Sequence, residues 1–238
     1  MNLIMRTKSA SYLFAFLFSL NLLNAQMQGV AEYSVQVIND KDNFMQQSLL
    51  NDFLGLEDII HELVFQLVFD HQNSFFVLKD KEYSREEYLI GAKLAVGATT
   101  NLLKNEFGIL SDFPSFTPFV DEKWVPEELR EYSFEIKEET KQIKGYTVNK
   151  AILYYEVGNK KKGYHKKEAI AWFCSDIPVP HGPLAFGDLP GLILELETSQ
   201  ANFSLLDIEF KEVNLPKIIE TEIISKEDLR KKMKEQKF

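Results

Sequence analysis

A mainly β chain of the α+β type is predicted: a curved antiparallel sheet, a short C-terminal helix, and a helical or irregular crossover after the first strand. Three observations predict it. Beyond residue 29 the apolar residues recur mainly with period two, the spacing of half-buried strands. Turn residues such as His71-Gln72-Asn73 and Gly145 separate these runs at hairpin distances. Only the last fourteen residues, "SKEDLRKKMKEQKF", change character, with Ser225 three positions before Asp228 in a capping-box pattern and acids ahead of lysines.

The first element is set apart from the fold. Arg6 and Lys8 precede an apolar run, "YLFAFLFSLNLL", which ends in small and polar residues at Ala25-Gln26. A basic start, a short apolar centre and a small residue before the cut describe a secretory signal peptide over residues 1–25. The run is shorter than the roughly 20 residues of a spanning helix. Export to the periplasm or the cell exterior is therefore expected, with Gln26 as the new N-terminus and no transmembrane segment afterwards. Residues 26–238 then form a single domain of 238 − 25 = 213 residues. Losing two basic residues moves the formal charge from −9 to −11. An acidic surface excludes nucleic acid and anionic membranes as natural partners. Cys174 is the only cysteine, so no intrachain disulfide can form.

"VAEYSVQVI" (Val30 to Ile38) is the first strand, with Ala31, Tyr33, Val35 and Val37 on one face. Residues 42–60 follow as the crossover, helical or irregular, through Leu49, Leu50, Phe53 and Leu54. "ELVFQLVFD" puts Leu63, Phe65, Leu67 and Phe69 on one face and turns through "HQN" into "SFFVLK", a hairpin. Residues 84–110 read as a helix interrupted by Gly91 and Gly97, or as two short strands. "FPSFTPFVDEKWVP" reads as a long loop. Strands return in "YSFEIKEET", "YTVNKAILYYEV" and "EAIAWFCSDI", the last two joined by the Lys-rich "GNKKKGYHKK". "GLILELE" and "SLLDIEF" pair across "TSQAN", and "KIIETEII" is one more strand.

The segment before "LILELE" has its own logic. Pro178, Pro180, Pro183 and Pro190 with Gly182, Gly187 and Gly191 fill "IPVPHGPLAFGDLPG". Prolines lack the amide donor of a central strand and hold the chain extended. The glycines permit positive φ or close backbone approach. Leu189-Pro190-Gly191 fits a type II turn, which places Gly191 at positive φ. Such rigidity serves folding, or it shapes the rim of a cleft.

These residues also carry a resemblance. "AWFCSDIPVPHGPLAFGDLPGLILELE" resembles the signature of the GLPGLI family, exported proteins of Gram-negative envelopes. The upstream "ETKQIKGYTVNKA" is similar to the family's second block. Two positions depart from the pattern: Asp188 stands for the first glycine of the hexapeptide, and Val148 where a cysteine is frequent. The resemblance implies an uncharacterised envelope protein. It brings no reaction, cofactor or catalytic residue.

The search for chemistry yields little. Of the four histidines, His61 and His71 are placed to approach one another if the hairpin forms, with Glu62 and Asp70 near, but surface polarity explains the same letters. Cys174 beside Trp172 has no base in its pattern and reads as a buried thiol. No catalytic residue, metal site or cofactor is assigned. Trp172, Pro180, His181, Gly187, Pro190 and Gly191 are the candidate binding residues. Two functions follow: a non-enzymatic envelope protein holding an apolar ligand, lipid or protein partner, with Phe65, Phe69 and Trp172 to line its cavity; or a hydrolase or metal-handling protein with a dispersed site.

Overall fold

The computed structural model describes residues 27–112, 124–127, 132–159 and 163–235. The segment expected to be a signal peptide, most of "FPSFTPFVDEKWVP" and the centre of the Lys-rich turn lie outside them. Among the described residues, eleven strands form one unclosed antiparallel sheet in the order β6-β5-β4-β3-β2-β1-β11-β10-β9-β8-β7.

The strands are β1 Gly29–Val37, β2 Val64–Phe69, β3 Ser74–Leu78, β4 Leu102–Asn105, β5 Gly108–Asp112, β6 Trp124–Pro126, β7 Tyr132–Ile143, β8 Tyr146–Asn159, β9 Gly163–Cys174, β10 Leu192–Glu197 and β11 Ala201–Phe210. The α-helices are α1 Phe44–Asp52, α2 Leu56–Glu62, α3 Leu89–Ala95 and α4 Lys226–Glu235.

Local chemistry places the turns. The Asp70 carboxylate accepts from the amides of Gln72 (2.7 Å) and Asn73 (2.6 Å), closing the β2–β3 hairpin. Lys144 (φ 50°) and Gly145 (φ 86°) join β7 to β8, the two left-handed residues that a type I′ hairpin needs. The crossover from β1 to β2 is helical: Asn43 caps α1 by accepting from the Gln46 amide (3.1 Å), and Gly55 (φ 83°) turns the chain into α2. Residues 84–110 combine the two readings left open by their pattern. Gly91 lies inside α3, Gly97 (φ 74°) ends it, and the β4–β5 hairpin follows.

Two elements differ from expectation. "WVP", read as the end of a long loop, is strand β6 paired with β5. "KIIETEII" is not a strand; Glu220–Glu222 forms a 3₁₀ turn, and only Ile223 bridges Trp124. The edge it meets, β6, is three residues long and ends in Pro126, which offers no amide. Helix α4 forms as its cap predicts, with the Ser225 hydroxyl accepting from the Asp228 amide at 3.0 Å.

One face of the sheet holds the core. Ala31, Tyr33 and Val35 of β1, Phe65, Leu67 and Phe69 of β2, and Phe203 and Leu205 of β11 are all buried. Phe65 stacks on Phe76 (centroids 5.2 Å) and meets Phe203 edge-on (5.6 Å), arrangements worth about 0.5–1.5 kcal/mol each beyond burial. In β10 the alternation is broken by an irregularity between Ile193 and Glu195, so Leu192, Ile193 and Leu194 are buried in succession.

Two contacts show how far the sheet bends. Phe186 meets Tyr155 of β8 (5.5 Å, 73°), and Asp188, two residues on, pairs with Lys104 of β4 (2.7 Å). Along the sheet β4 and β8 lie seven strand spacings apart, about 34 Å at ~4.8 Å each. Residues two apart reach both only if the core face is strongly concave. Residues 177–191 cross that hollow as a brace.

Candidate functional site

The brace is built on prolines and glycines, but not as a type II turn. Gly191 is absent from the residues with positive φ. Its amide instead donates to the Leu189 carbonyl (2.8 Å), a three-residue γ-turn centred on Pro190. The same bond recurs from Val179 to Ile177 (2.8 Å) over Pro178 and from His181 to Val179 (2.9 Å) over Pro180. Each proline fixes the central φ, so the chain advances in short rigid steps.

Gly191 serves contact rather than conformation. A Cβ there would stand 2.1 Å from the Cys174 carbonyl oxygen, and one on Gly187 would stand 2.3 Å from that of Pro180. The left-handed residues of the brace are Leu184 (φ 55°), Ala185 (φ 59°) and Asp188 (φ 63°). Side-chain crowding disfavours this conformation by about 1–2 kcal/mol per residue. Three such residues in five concentrate strain of the kind found at functional sites.

Five of the six sequence-derived candidates lie in this brace, and the sixth does not. Pro180, His181, Gly187, Pro190 and Gly191 are brought together, with His181 and Gly187 bridged. Trp172 is apart. Its β9 neighbours Ala171 and Phe173 face the core, and strand alternation puts Trp172 on the outer face. There Lys141 and Lys150 lie 4.2 and 5.8 Å from its ring, and these lysines pair with Glu195 and Glu139. Nor do Phe65, Phe69 and Trp172 line a common cavity, because Phe65 and Phe69 are packed into the filled hollow.

His181 is 1% exposed, and neither ring nitrogen has a hydrogen-bond partner among the described residues. Burial, helped by the Lys104 ammonium, pushes its pKa down to about 4, against the opposing pull of the Asp70 backbone and, less, of the Asp70 and Asp188 carboxylates. The imidazole is neutral at pH 7. Burial also raises the Cys174 thiol, so it is not an activated nucleophile. His61 and His71 do not approach: they flank β2, which separates them by about 20 Å of strand. Among the described residues no three of His, Cys, Asp and Glu cluster in a way that would hold a metal.

Among the described residues, two cavities lie at the tip of the brace. A cavity of about 200 Å³ is bounded by Gly97–Thr100, Leu102, Ile109, Glu127 and the Leu184–Phe186 turn. A second, of about 190 Å³, lies between Val96, Tyr155, Phe186 and the polar residues Lys167 and 198–200. Gly97, Leu184 and Phe186 are walls of both. At the second, the Lys167 ammonium donates to Asp40 (2.9 Å) and to the Ser199 hydroxyl (2.7 Å). Beside the first, Asp112 accepts from Asn101, and burial raises its carboxyl while lowering Lys93 nearby. Sequence reasoning missed Leu184, Ala185, Lys167 and Asp112. Only the position of Leu184 and Ala185 within the Pro-Gly segment could have drawn notice.

A family model described as a protein of unknown function (Porph_ging) matches residues 134–195, the stretch from β7 into β10 that contains the brace. No curated protein matches. Among solved structures, two crystal forms of PNGF-II are similar at 12% and 14% identity, with TM-scores of 0.47 and 0.48. They cover 86% of this chain, which spans about a third of their own length (33% and 32%). Among the described residues no helix is long and apolar enough to cross a membrane.

Proposed function

We propose that this is an exported GLPGLI-type envelope protein that binds, without catalysis, the apolar end of an amphiphile at the tip of its brace. The observation that carries the reading is the strained Leu184–Phe186 turn standing as a shared wall between two cavities. Each is about the size that accommodates one aromatic ring or a short stretch of acyl chain. Tyr155, Phe186 and Leu184 would meet the apolar part. Lys167, Ser199 and Gln200 supply polar groups at the rim. The basic-then-apolar residues 1–25 and the two sequence blocks support the export and the family reading.

The test uses protein purified from the envelope fraction, whose N-terminus should be Gln26. A short-chain lysophospholipid, kept below its micelle concentration, should raise the melting temperature saturably. At a hundredfold excess over Kd the gain is about 2.7 kcal/mol, or several degrees for a domain of this size. Ser199→Trp, which fills the second cavity from its rim, should abolish the rise. No saturable rise, or one that Ser199→Trp leaves intact, would overturn the binding site; an intact Met1 would overturn export.

A further inference from the structure

The helical crossover carries a surface that the cavities do not explain. Of α1, only Gln46 is buried, its amide donating to the carbonyls of Ala95 (2.7 Å) and Gln200 (3.1 Å). Met45, Leu49 and Phe53 follow at i, i+4 and i+8, so they run along one side of the helix and its C-cap. Phe53 then meets Tyr88 edge-on (5.9 Å), and Ile90 follows two residues later. Leu54 is 87% exposed, Met45 54%, Ile90 48% and Phe53 46%. A run of large side chains this exposed is uncommon on a protein that needs no partner there.

The charges around this stripe are mainly acidic. From Asp42 to Glu62 there are five carboxylates and no Lys or Arg. Asp52, Glu57, Asp58, Glu86 and Glu87 are all exposed around the stripe. The cation among them, Arg85, lies over the Tyr88 ring (3.7 Å) and bonds the Leu54 carbonyl (3.3 Å). An anionic lipid surface would be repelled. A second copy is also a poor fit, since the apolar anchor of the basic α4, Leu229, is already buried against Val125 and Ile224.

We infer that the α1–α3 surface docks a basic amphipathic helical segment of another protein, its apolar anchors on Met45, Phe53, Leu54 and Ile90 and its lysines or arginines over the surrounding carboxylates. The binding should weaken steeply with salt, as rim charges do.

The probe is a fluorescent fourteen-residue Leu/Lys amphipathic peptide, with its Leu/Glu counterpart as the charge control. Anisotropy should show saturable binding of the Leu/Lys peptide to the full chain and none of the Leu/Glu peptide. Leu54→Ser, an exposed site whose replacement leaves the fold intact, should weaken binding at least tenfold, and Glu57→Lys with Asp58→Lys should do the same. Equal binding of both peptides, or equal binding by Leu54→Ser, would overturn the proposal. So would Leu54-dependent adsorption to zwitterionic phosphatidylcholine vesicles without peptide binding, or a Leu54-dependent dimer on sedimentation; these assign the stripe to lipid or to a second copy.

Discussion

The two halves of the brace solve opposite problems with the opposite residues from those expected. Where the chain is tightest, at Gly187 and Gly191, the backbone keeps ordinary φ and the glycines are needed because other carbonyls occupy the place of a Cβ. Where the chain is left-handed, at Leu184, Ala185 and Asp188, the residues are not glycine. Glycine here supplies absence of volume, while the strained turn keeps its side chains. That allocation makes sense if the side chains are wanted: Leu184 as a cavity wall, Asp188 as the partner of Lys104.

The largest expected effect tests the tight half. Gly191→Ala places a Cβ 2.1 Å from a backbone oxygen of Cys174, and no side-chain rotation can relieve it. The brace or β9 must shift, at about 3 kcal/mol or more. For roughly 200 residues that lowers the melting temperature by about 10 °C. A fall of under 2 °C in calorimetry would break the contact argument.

A second effect in the tight half depends on pH. His181 adjoins the Pro180–Gly187 contact, with Lys104 as the nearest cation and Asp70 and Asp188 as the nearest acids. Its pKa is pushed down to about 4, from an ordinary 6.5. Between these values the unfolded chain binds a proton that the folded chain does not. Stability from this group is therefore complete above pH 6.5 and is lost as pH falls toward 4, by about 3 kcal/mol in all. His181→Phe removes the titration and the unpartnered ring nitrogens. The difference in melting temperature between the variant and the parent should widen in favour of the variant from pH 7 to pH 4. A difference constant with pH would refute the assignment.

Much of the sheet was legible because period-two alternation is a local signal that the core enforces. Phe65, Leu67 and Phe69 were placed on one shared face from spacing alone, the face that proves buried, and the β2–β3 turn from "HQN". The failures have a common cause in contacts distant in sequence. Whether "KIIETEII" pairs depends on the length of β6, and Gly191's role depends on Cys174. Trp172 seemed part of the signature because it is close in sequence, yet strand alternation turns it outward. Nothing in the letters Leu184-Ala185 signals a left-handed turn. The turn leads directly into two contacts, Phe186 on Tyr155 and Asp188 on Lys104, which reach strands at distant places in the sheet order.

The smallest effects sharpen the comparison on the left-handed half. Ala185→Gly and Asp188→Gly both remove a Cβ from a left-handed residue, which relieves about 1 kcal/mol or slightly more. Both give back part of this, because glycine widens the unfolded ensemble by about 0.4–1 kcal/mol. They differ in what else is lost. Ala185 has only its methyl, so Ala185→Gly should be mildly stabilising, by up to about 0.5 kcal/mol. Asp188 also holds the 2.7 Å pair with Lys104, and its side chain is 60% exposed. An ion pair so open to solvent is worth about 0–1 kcal/mol, enough to cancel the relief. Asp188→Gly should thus be neutral in low salt. High salt screens the pair in the parent, so the variant should become relatively more stable there. Denaturant titrations at two ionic strengths resolve this. If Ala185→Gly lost more than 1 kcal/mol, the turn would not be strained, and the cavity wall it forms would need another explanation.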